Sequence, residues 1–275
     1  MVADRSPAVT LDTVAKTFPG KAAPALVDLS ATIEPGQFVA VIGKSGAGKT
    51  TLLRCLSRAT VVSRGAIRFD QTDLAKLRGR ALRAHRTRVG MIYQQFNLVS
   101  RLPVIDNVLI GRLGRLGGWE RWAALVHHFD RRQRDIAFRC LDHVGLLDRV
   151  WQRTDTLSGG EQQRVAIAKI LAQEPTVVLA DEPVASLDLS NGRLVMQTLR
   201  RVASAVGITV IATLHHVELA RSYADRILGL KAGRLVFDGP ASQLTDAALF
   251  EIFGEFVAEP AGRAHGERLG ELAAS

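Results

Sequence analysis

The chain has 275 residues, of which 47% are hydrophobic, and can bury a sizeable core as one domain or as a domain with an inserted lobe. No apolar run approaches the roughly 18 residues of a membrane-spanning helix, and the N-terminus lacks the apolar core of a signal peptide. We therefore expect neither a membrane span nor secretion, and place the chain in the cytoplasm. Cys55 and Cys140 match no metal or disulfide motif, and we interpret both as packing residues.

The net charge of +9 is concentrated in two arginine-rich stretches. Residues 76–88 carry six Lys or Arg and no acid, and residues 111–153 carry nine arginines against five acids. Such runs are most often solvated faces. The alternatives are anionic lipid headgroups or acidic loops of a partner. Nucleic acid comes last, because no aromatic residues interleave with the arginines in a ladder.

Strand patterns alternate with helical patterns along the chain, which is typical of a mostly parallel sheet wrapped by helices. The sequence predicts, in chain order, strands at 9–18 and 37–42, a helix at 49–57, and strands at 67–69, 89–93, 176–180, 208–213, 226–230 and 234–237. The last two strands flank a short turn, so we expect a small antiparallel part beside the parallel sheet.

The middle of the chain, residues 94–173, has a helical pattern instead. We therefore expect an α/β core, at about 1–93 and 174–240, that is interrupted by an inserted helical lobe. A helix at about 241–256 would complete a domain of residues 1–258, and the polar tail at 259–275 would be frayed. The apolar faces of the lobe are predicted to include Trp119, Trp122, Leu125, Phe129, Ile136, Phe138 and Leu141.

A phosphate-binding loop follows the second predicted strand. The run VAVIGKSGAGKT fits the pattern G-x-x-x-x-G-K-[ST] and stands between a strand and a helix. Backbone N–H groups at the start of that helix would surround a β-phosphate. Lys49 would contact the β- and γ-phosphates, and Thr50 would hold Mg²⁺. The residues expected to contact the nucleotide are Gly43, Lys44, Ser45, Gly46, Ala47, Gly48, Lys49, Thr50 and Thr51.

The run TVVLADEP supplies the carboxylates that such a loop needs. Asp181 ends a buried-type strand, and the carboxyl ends of parallel strands face the phosphate crevice of an open α/β sheet. We therefore expect Asp181 to bind Mg²⁺, directly or through water, and Glu182 to act as the general base. The alternative is an exposed acidic turn before Pro183.

A second glycine stretch, TLSGGEQQR, also precedes a predicted helix. Ser158 and Glu161 have the spacing of a capping box, so the stretch has a purely structural interpretation. Two adjacent glycines, Gly159 and Gly160, argue against it, because they cost helix stability and are useful where something must approach the backbone closely.

Taken together, these motifs resemble the ATP-binding cassette of ABC transporters, over nearly the whole chain. GKSGAGKT resembles the Walker A motif, VVLADE the Walker B motif and LSGGEQQR the ABC signature. The resemblance implies a homodimer arranged head to tail, in which Ser158, Gly159 and Gly160 of one subunit face the ATP held by the other. It further implies roles for Gln94 of the Q-loop at Mg²⁺, Asp188 of the D-loop at the dimer seam, His215 at the γ-phosphate, and Phe18 at the adenine.

Three stretches within 92–119, 179–200 and 229–240 are similar to the ATPase subunit of phosphonate importers. This resemblance implies ATP and Mg²⁺ as ligands, membrane permease subunits and a separate substrate-binding protein as partners, and a position at the cytoplasmic face of the inner membrane. The transported substrate would be a phosphonate or phosphite. Cassettes for polar amino acids or lipoprotein release remain alternatives. A nucleic-acid-associated cassette is disfavoured, because the chain has no long coiled coil between its motifs.

Overall fold

A computed structural model describes residues 8–21, 23–125 and 129–254. The strands are β1 (Val9–Lys16), β2 (Leu26–Ile33), β3 (Phe38–Ile42), β4 (Arg64–Phe69), β5 (Thr72–Asp73), β6 (Val89–Ile92), β7 (Val177–Asp181), β8 (Thr209–Thr213), β9 (Arg226–Lys231) and β10 (Arg234–Pro240). The helices are α1 (Lys49–Leu56), α2 (Gly79–Arg88), α3 (Val104–Ile110), α4 (Gly118–Leu125), α5 (Arg131–His143), α6 (Gly159–Ala172), α7 (Leu189–Val206), α8 (Val217–Tyr223) and α9 (Asp246–Phe253).

The larger sheet has six strands in the order β10-β9-β3-β8-β7-β6. All neighbouring pairs in it are parallel except β10 with β9. β3 and β8 are buried at every position because both faces of the larger sheet are covered, one by helices and the other by α1 and the smaller sheet; each strand is therefore a nearly continuous apolar run in the sequence. The prediction of an α/β fold with a mostly parallel sheet is confirmed, and the carboxyl ends of β3, β6, β7 and β8 share one edge.

The smaller sheet is antiparallel, with strand order β2-β1-β4-β5. It packs over α1 and one face of the larger sheet, around a core that includes Leu29, Leu53 and Ile67. β2 is not among the strands expected from the sequence. Its alternation of buried and exposed residues is broken at Asp28, whose φ of 49° places a non-glycine residue in the left-handed region. A period-two pattern is lost at such an irregularity.

Helices α3 to α6 fill the segment between β6 and β7. Asn107 on α3 is fully buried and joins three parts of this segment, since its side chain bonds to both backbone groups of Val99 and to the hydroxyl of Thr154. The prediction that Trp119 and Trp122 belong to an apolar packing face is wrong, because they are 73% and 75% exposed. Phe129, Ile136 and Leu141 are buried as expected, and the side chain of Leu125 lies outside the described part.

Helix α9 lies within the predicted C-terminal helix, and residues 241–243 form a separate 3-10 turn before it. The end of that predicted helix and the tail at 259–275 lie outside the described residues. Among the residues that the structure does describe, each helix is too short or too polar to span a bilayer.

Candidate functional site

The loop between β3 and α1 has a backbone that only glycine can adopt at two positions. Gly43 has φ of 152°, and a Cβ there would lie 2.3 Å from the carbonyl oxygen of Leu230. Gly48 has φ of 103°, and its Cβ would lie 2.5 Å from the carbonyl oxygen of Ala25. Gly48 caps α1 without a side-chain hydrogen bond, so the first N–H groups of α1 are left for another acceptor. This arrangement fits a phosphate group.

The side chain of Lys49 bonds to the backbone of this loop. Its side chain is buried, and its Nζ donates to the carbonyl oxygens of Gly43 at 2.8 Å and Lys44 at 3.1 Å. Burial lowers the pKa of Lys49, and the charges of Glu182 and Asp181 partly oppose that effect. A buried ammonium that is held by two neutral carbonyls would be stabilised by an anion beside it.

Asp181, at the carboxyl end of β7, is the meeting point of three elements. Its Oδ1 accepts a hydrogen bond from the Thr50 hydroxyl on α1 at 3.1 Å and another from the Thr213 hydroxyl on β8 at 2.9 Å. A hydroxyl and a carboxylate in contact are hard oxygen donors of the kind that Mg²⁺ uses together with substrate phosphates and water. Thr50 and Asp181 therefore fit a magnesium site.

Thr213 also sets the position of Glu182. Its hydroxyl is fully buried and accepts the backbone N–H of Glu182 at 2.9 Å while it donates to Asp181. Glu182 itself has φ of 50°, which is unfavourable for a residue with a Cβ. Thr213 is not among the site residues expected from the sequence. One feature of the sequence points to it: Thr213 is a polar residue at the end of the buried strand TVIAT. In the sheet it pairs with Asp181.

The side chain of Glu182 meets His215. The His215 Nε2 lies 2.5 Å from Glu182 Oε1, and both side chains remain partly accessible, at 41% and 22%. A hydrogen bond of this kind fixes the direction of the carboxylate and leaves its other oxygen for a water molecule. The structure thus brings Lys49, Thr50, Asp181, Glu182 and His215 to one edge of the sheet.

Two other predicted residues lie near this edge without joining the cluster. Gln94 is exposed two residues beyond the end of β6, and Ile92 pairs with Ala180 in the sheet, so Gln94 lies at the same edge as Asp181. Phe18 is half-buried after β1, with the Nζ of Lys16 4.9 Å from its ring centroid. Within the described chain, no hydrogen bond links either side chain to Asp181 or Glu182.

The second glycine stretch forms a complete capping box. The Ser158 Oγ donates to Glu161 Oε2 at 2.8 Å and accepts the Glu161 N–H, while the same carboxylate accepts the Ser158 N–H. These bonds lower the pKa of Glu161. A Cβ at Gly160 would lie 2.9 Å from the Asn191 side-chain oxygen, so any larger residue there would force the Asn191 side chain to move. The structural interpretation of this stretch therefore holds, whatever further role it has.

Asp188 lies beside this stretch, at the N-terminus of α7. Its side chain accepts the backbone N–H of Asn191 at 3.0 Å and also the Asn191 amide, and these bonds lower its pKa. Because Asn191 also borders Gly160, the starts of α6 and α7 form one surface. No hydrogen bond of the described residues connects Ser158, Gly159 or Gly160 with the phosphate loop of the same chain.

A cavity of about 370 Å³ lies between the end of β6 and α6. Tyr93, Phe96 and Lys169 are among its lining residues. Lys169 crosses it, because its Nζ donates to the carbonyl oxygen of Asn97 at 2.7 Å, and burial lowers its pKa. The cavity therefore connects the segment after Gln94 to the helix that Ser158 caps.

Three features at the end of the parallel sheet define a nucleotide-binding P-loop protein. They are the glycine loop with its buried lysine, the carboxylate bonded to a threonine, and the Glu–His pair. The chain belongs to the ABC transporter family, whose model matches residues 26–185. It is 48% identical over 229 residues to the phosphonates import ATP-binding protein PhnC of Bradyrhizobium diazoefficiens. The aligned residues cover 83% of this chain and 84% of that protein. It is 45% identical over 251 residues to PhnC of Shouchella clausii, covering 91% and 93%.

Solved ATP-binding cassettes have the same fold. A dimeric, post-hydrolysis form of the cassette MJ0796 bound to ADP and Pi matches 85% of this chain and 98% of its own, with a TM-score of 0.72 and 31% identity. The cbiO1 subunit of a Clostridium perfringens transporter matches 90% and 94%, with a TM-score of 0.77 and 24% identity. The chain is accordingly an ABC-type ATPase that binds adenine nucleotides.

Proposed function

We propose that this chain is the ATP-hydrolysing subunit of a membrane importer for phosphonates or the related phosphite. ATP hydrolysis is supported by a continuous series of hydrogen bonds. It runs from Thr50 through Asp181 and Thr213 to Glu182 and His215. The observation that supports the substrate is the identity of 43–49% to proteins named as phosphonate importers. The two parts are tested separately below.

In this proposal the phosphate loop holds the nucleotide and Phe18 stacks on its adenine. Gly46 to Thr50 provide backbone N–H groups, and Lys49 leaves its two carbonyl acceptors to meet the β- and γ-phosphates. Thr50, Asp181 and Gln94 would hold Mg²⁺. That ion would supply positive charge against the phosphate oxygens, so that less charge has to be neutralised by the protein.

Glu182 is the proposed general base. Its carboxylate accepts a proton from the attacking water, while the hydrogen bond to His215 keeps it pointed at the site. The Thr213 hydroxyl fixes the backbone beneath it. Because a misplacement of about 1 Å can cost about a hundredfold in rate, these two anchors contribute to the rate through the position of the carboxylate.

The working form is proposed to be a homodimer, in which Ser158, Gly159 and Gly160 of one subunit meet the ATP bound by the other and Asp188 lies at the seam. The separation of the two glycine stretches within one chain supports this arrangement. We expect Ser158→Arg to bind ATP normally as a monomer but to lose ATP-driven dimerisation and turnover. Dimerisation by this variant, measured by light scattering after gel filtration in a Glu182→Gln background, would remove Ser158 from the interface.

The cavity behind Gln94 is the proposed docking site for a cytoplasmic helix of the permease. Phe96 lines the cavity, and Leu98, two residues further on, is partly buried against the core beside the backbone that Lys169 holds. We expect Phe96→Ala and Leu98→Ala to leave the ATPase rate of the isolated chain unchanged. Both should lose the stimulation that a reconstituted permease and loaded binding protein provide. This partner would hold the chain at the cytoplasmic face of the inner membrane.

The same reconstituted complex tests the substrate. A binding protein loaded with 2-aminoethylphosphonate should raise the ATPase rate, and a polar amino acid should not. Stimulation by the amino acid alone would discard the phosphonate assignment and leave the ATPase unaffected. Genes for a permease, a binding protein and carbon–phosphorus bond cleavage beside this one would support it independently.

A further inference from the structure

The two arginine-rich stretches meet at one place on the surface. The hydroxyl of Thr87, near the end of α2, donates to the carbonyl oxygen of Arg83 at 3.1 Å and lies 3.5 Å from that of Gly114. Arg112 donates to the side-chain oxygen of Gln133, in the first turn of α5, at 2.7 Å. Because α4 begins four residues after Gly114, its start lies within about 14 Å of that residue. Helix α4 thus begins within about 14 Å of the contact with α2, and six residues after Arg112, which contacts α5.

Five exposed arginine side chains of these helices have no partner among the described residues. Arg80 and Arg83 on α2, and Arg131, Arg132 and Arg134 on α5, are exposed. The side chain of none of the five forms an ion pair or hydrogen bond with a residue in the described part of the chain. By contrast, Arg88 pairs with Asp70, and Arg112 is buried against Ala172 and Glu174.

The position of the α5 arginines is unfavourable for the helix itself. The first turn of α5 contains no acid, and three of its first four residues are arginine. The N-terminus of a helix carries partial positive charge, so cations placed there weaken the helix. Fold stability does not explain this placement, whereas an anionic surface outside the protein would.

Helix α4 carries the aromatic part of this surface. Trp119 and Trp122 are three residues apart and therefore lie on one face of the helix, about three-quarters exposed. Buried Leu116 and Phe129 hold the chain to the core before and after them. Tryptophans next to arginines are typical of the boundary between lipid headgroups and acyl chains, where the indole is half in water.

We propose that these residues form a membrane-binding face for anionic lipid headgroups, in which the arginines meet phosphates and the two tryptophans enter the interface. The face consists of Arg80, Arg83, Trp119, Trp122, Arg131, Arg132 and Arg134. The inference rests on the proposed function in one respect, that an importer subunit works within reach of a bilayer. Arg86 of α2 lines the cavity proposed for the permease, so the face adjoins that docking site.

The test is binding of the purified full chain to lipid vesicles, without permease or nucleotide. We expect cosedimentation with vesicles that contain phosphatidylglycerol and none with pure phosphatidylcholine. Binding should weaken from about 0.1 M to about 1 M salt, as the screening length falls from about 10 Å to about 3 Å. Tryptophan emission should shift to the blue on binding. Equal binding to both vesicle types, or none to either, would overturn the proposal.

Variants locate the binding to this face. Each arginine near an anionic leaflet strengthens binding by about fivefold, so replacing Arg131, Arg132 and Arg134 with Gln should weaken it on the order of a hundredfold. Trp119→Ser with Trp122→Ser should weaken it at least about tenfold and remove most of the blue shift. The control is Arg64→Gln with Arg68→Gln, which removes two positive charges from β4 and leaves this face unchanged.

A further assay separates lipid from protein as the occupant. If the tryptophan variant binds vesicles like the wild type but no longer assembles with the permease in detergent, the face docks protein and the lipid proposal fails. Vesicle binding does not depend on which substrate the importer carries. A wrong phosphonate assignment and a wrong membrane face therefore give different results.

Discussion

The site requires the hydroxyl of Thr213 to hold Glu182 in place. The substitution Thr213→Val removes this hydroxyl with almost no change in side-chain volume. The hydroxyl is fully buried and makes two hydrogen bonds of 2.9 Å, one from the Glu182 N–H and one to the Asp181 carboxylate. Valine fills the same space, so no cavity forms. The effect therefore isolates two hydrogen bonds.

The loss of stability in Thr213→Val depends on the two groups that lose their partner, the Glu182 N–H and the Asp181 carboxylate. A hydrogen bond to a carboxylate contributes about 1.5–3 kcal/mol, and an unpaired buried N–H costs about 1–3 kcal/mol. Because Glu182 is partly accessible to water, we expect a total loss of about 2–4 kcal/mol in the free energy of unfolding. Glu182 would also lose the anchor that holds its backbone at a φ of 50°, and misplacement of a catalytic group can lower turnover by about a hundredfold.

The assay is urea unfolding together with steady-state ATP hydrolysis. Thr213→Ser is the matched control, since it keeps the hydroxyl and loses a methyl group. We expect serine to retain most of the activity that valine loses. A valine variant with wild-type turnover would refute the role of Thr213 in positioning Glu182.

Three further predictions concern the loop, the helical segment and the cysteines. Gly43→Ala should abolish binding of a fluorescent ATP analogue because its Cβ would collide with Leu230, whereas Gly20→Ala, also at positive φ but in open space, should bind normally. Asn107→Ala should lower the free energy of unfolding by about 2–4 kcal/mol in urea titration, since it removes the hydrogen bonds of a buried amide to both backbone groups of Val99 and to the Thr154 hydroxyl; an unchanged midpoint would contradict this. Burial raises the pKa of Cys55 and Cys140 to about 11, so at pH 8 their thiolate fraction falls about a hundredfold, and iodoacetamide should label both only after unfolding.

The parts of the site that lie within one short segment could be predicted from the sequence. The phosphate loop and the pair Asp181–Glu182 follow from residue spacing and from the apolar strands before them. His215 and Gln94 came from the family resemblance. Thr213 could not be predicted, because its role depends on β7 and β8 being neighbours in the sheet, which no local pattern records.

The fold shows the same limit. Strands that are buried throughout, such as β3 and β8, are visible as apolar runs, while β2 is hidden by the irregularity at Asp28. Helical periodicity identified the helices between β6 and β7 but not which of their faces are packed. For this reason the sequence places Trp119 and Trp122 on an apolar packing face. In the structure both are exposed.

The central claim is that Glu182 drives ATP hydrolysis in a dimer that closes around ATP. The measurement is light scattering after gel filtration, with and without ATP, on the wild type and on Glu182→Gln, beside the hydrolysis rate of each. We expect Glu182→Gln to bind ATP, to accumulate as a dimer, and to turn over about two to four orders of magnitude more slowly. A variant that stays monomeric with ATP and hydrolyses it at the wild-type rate would contradict the account.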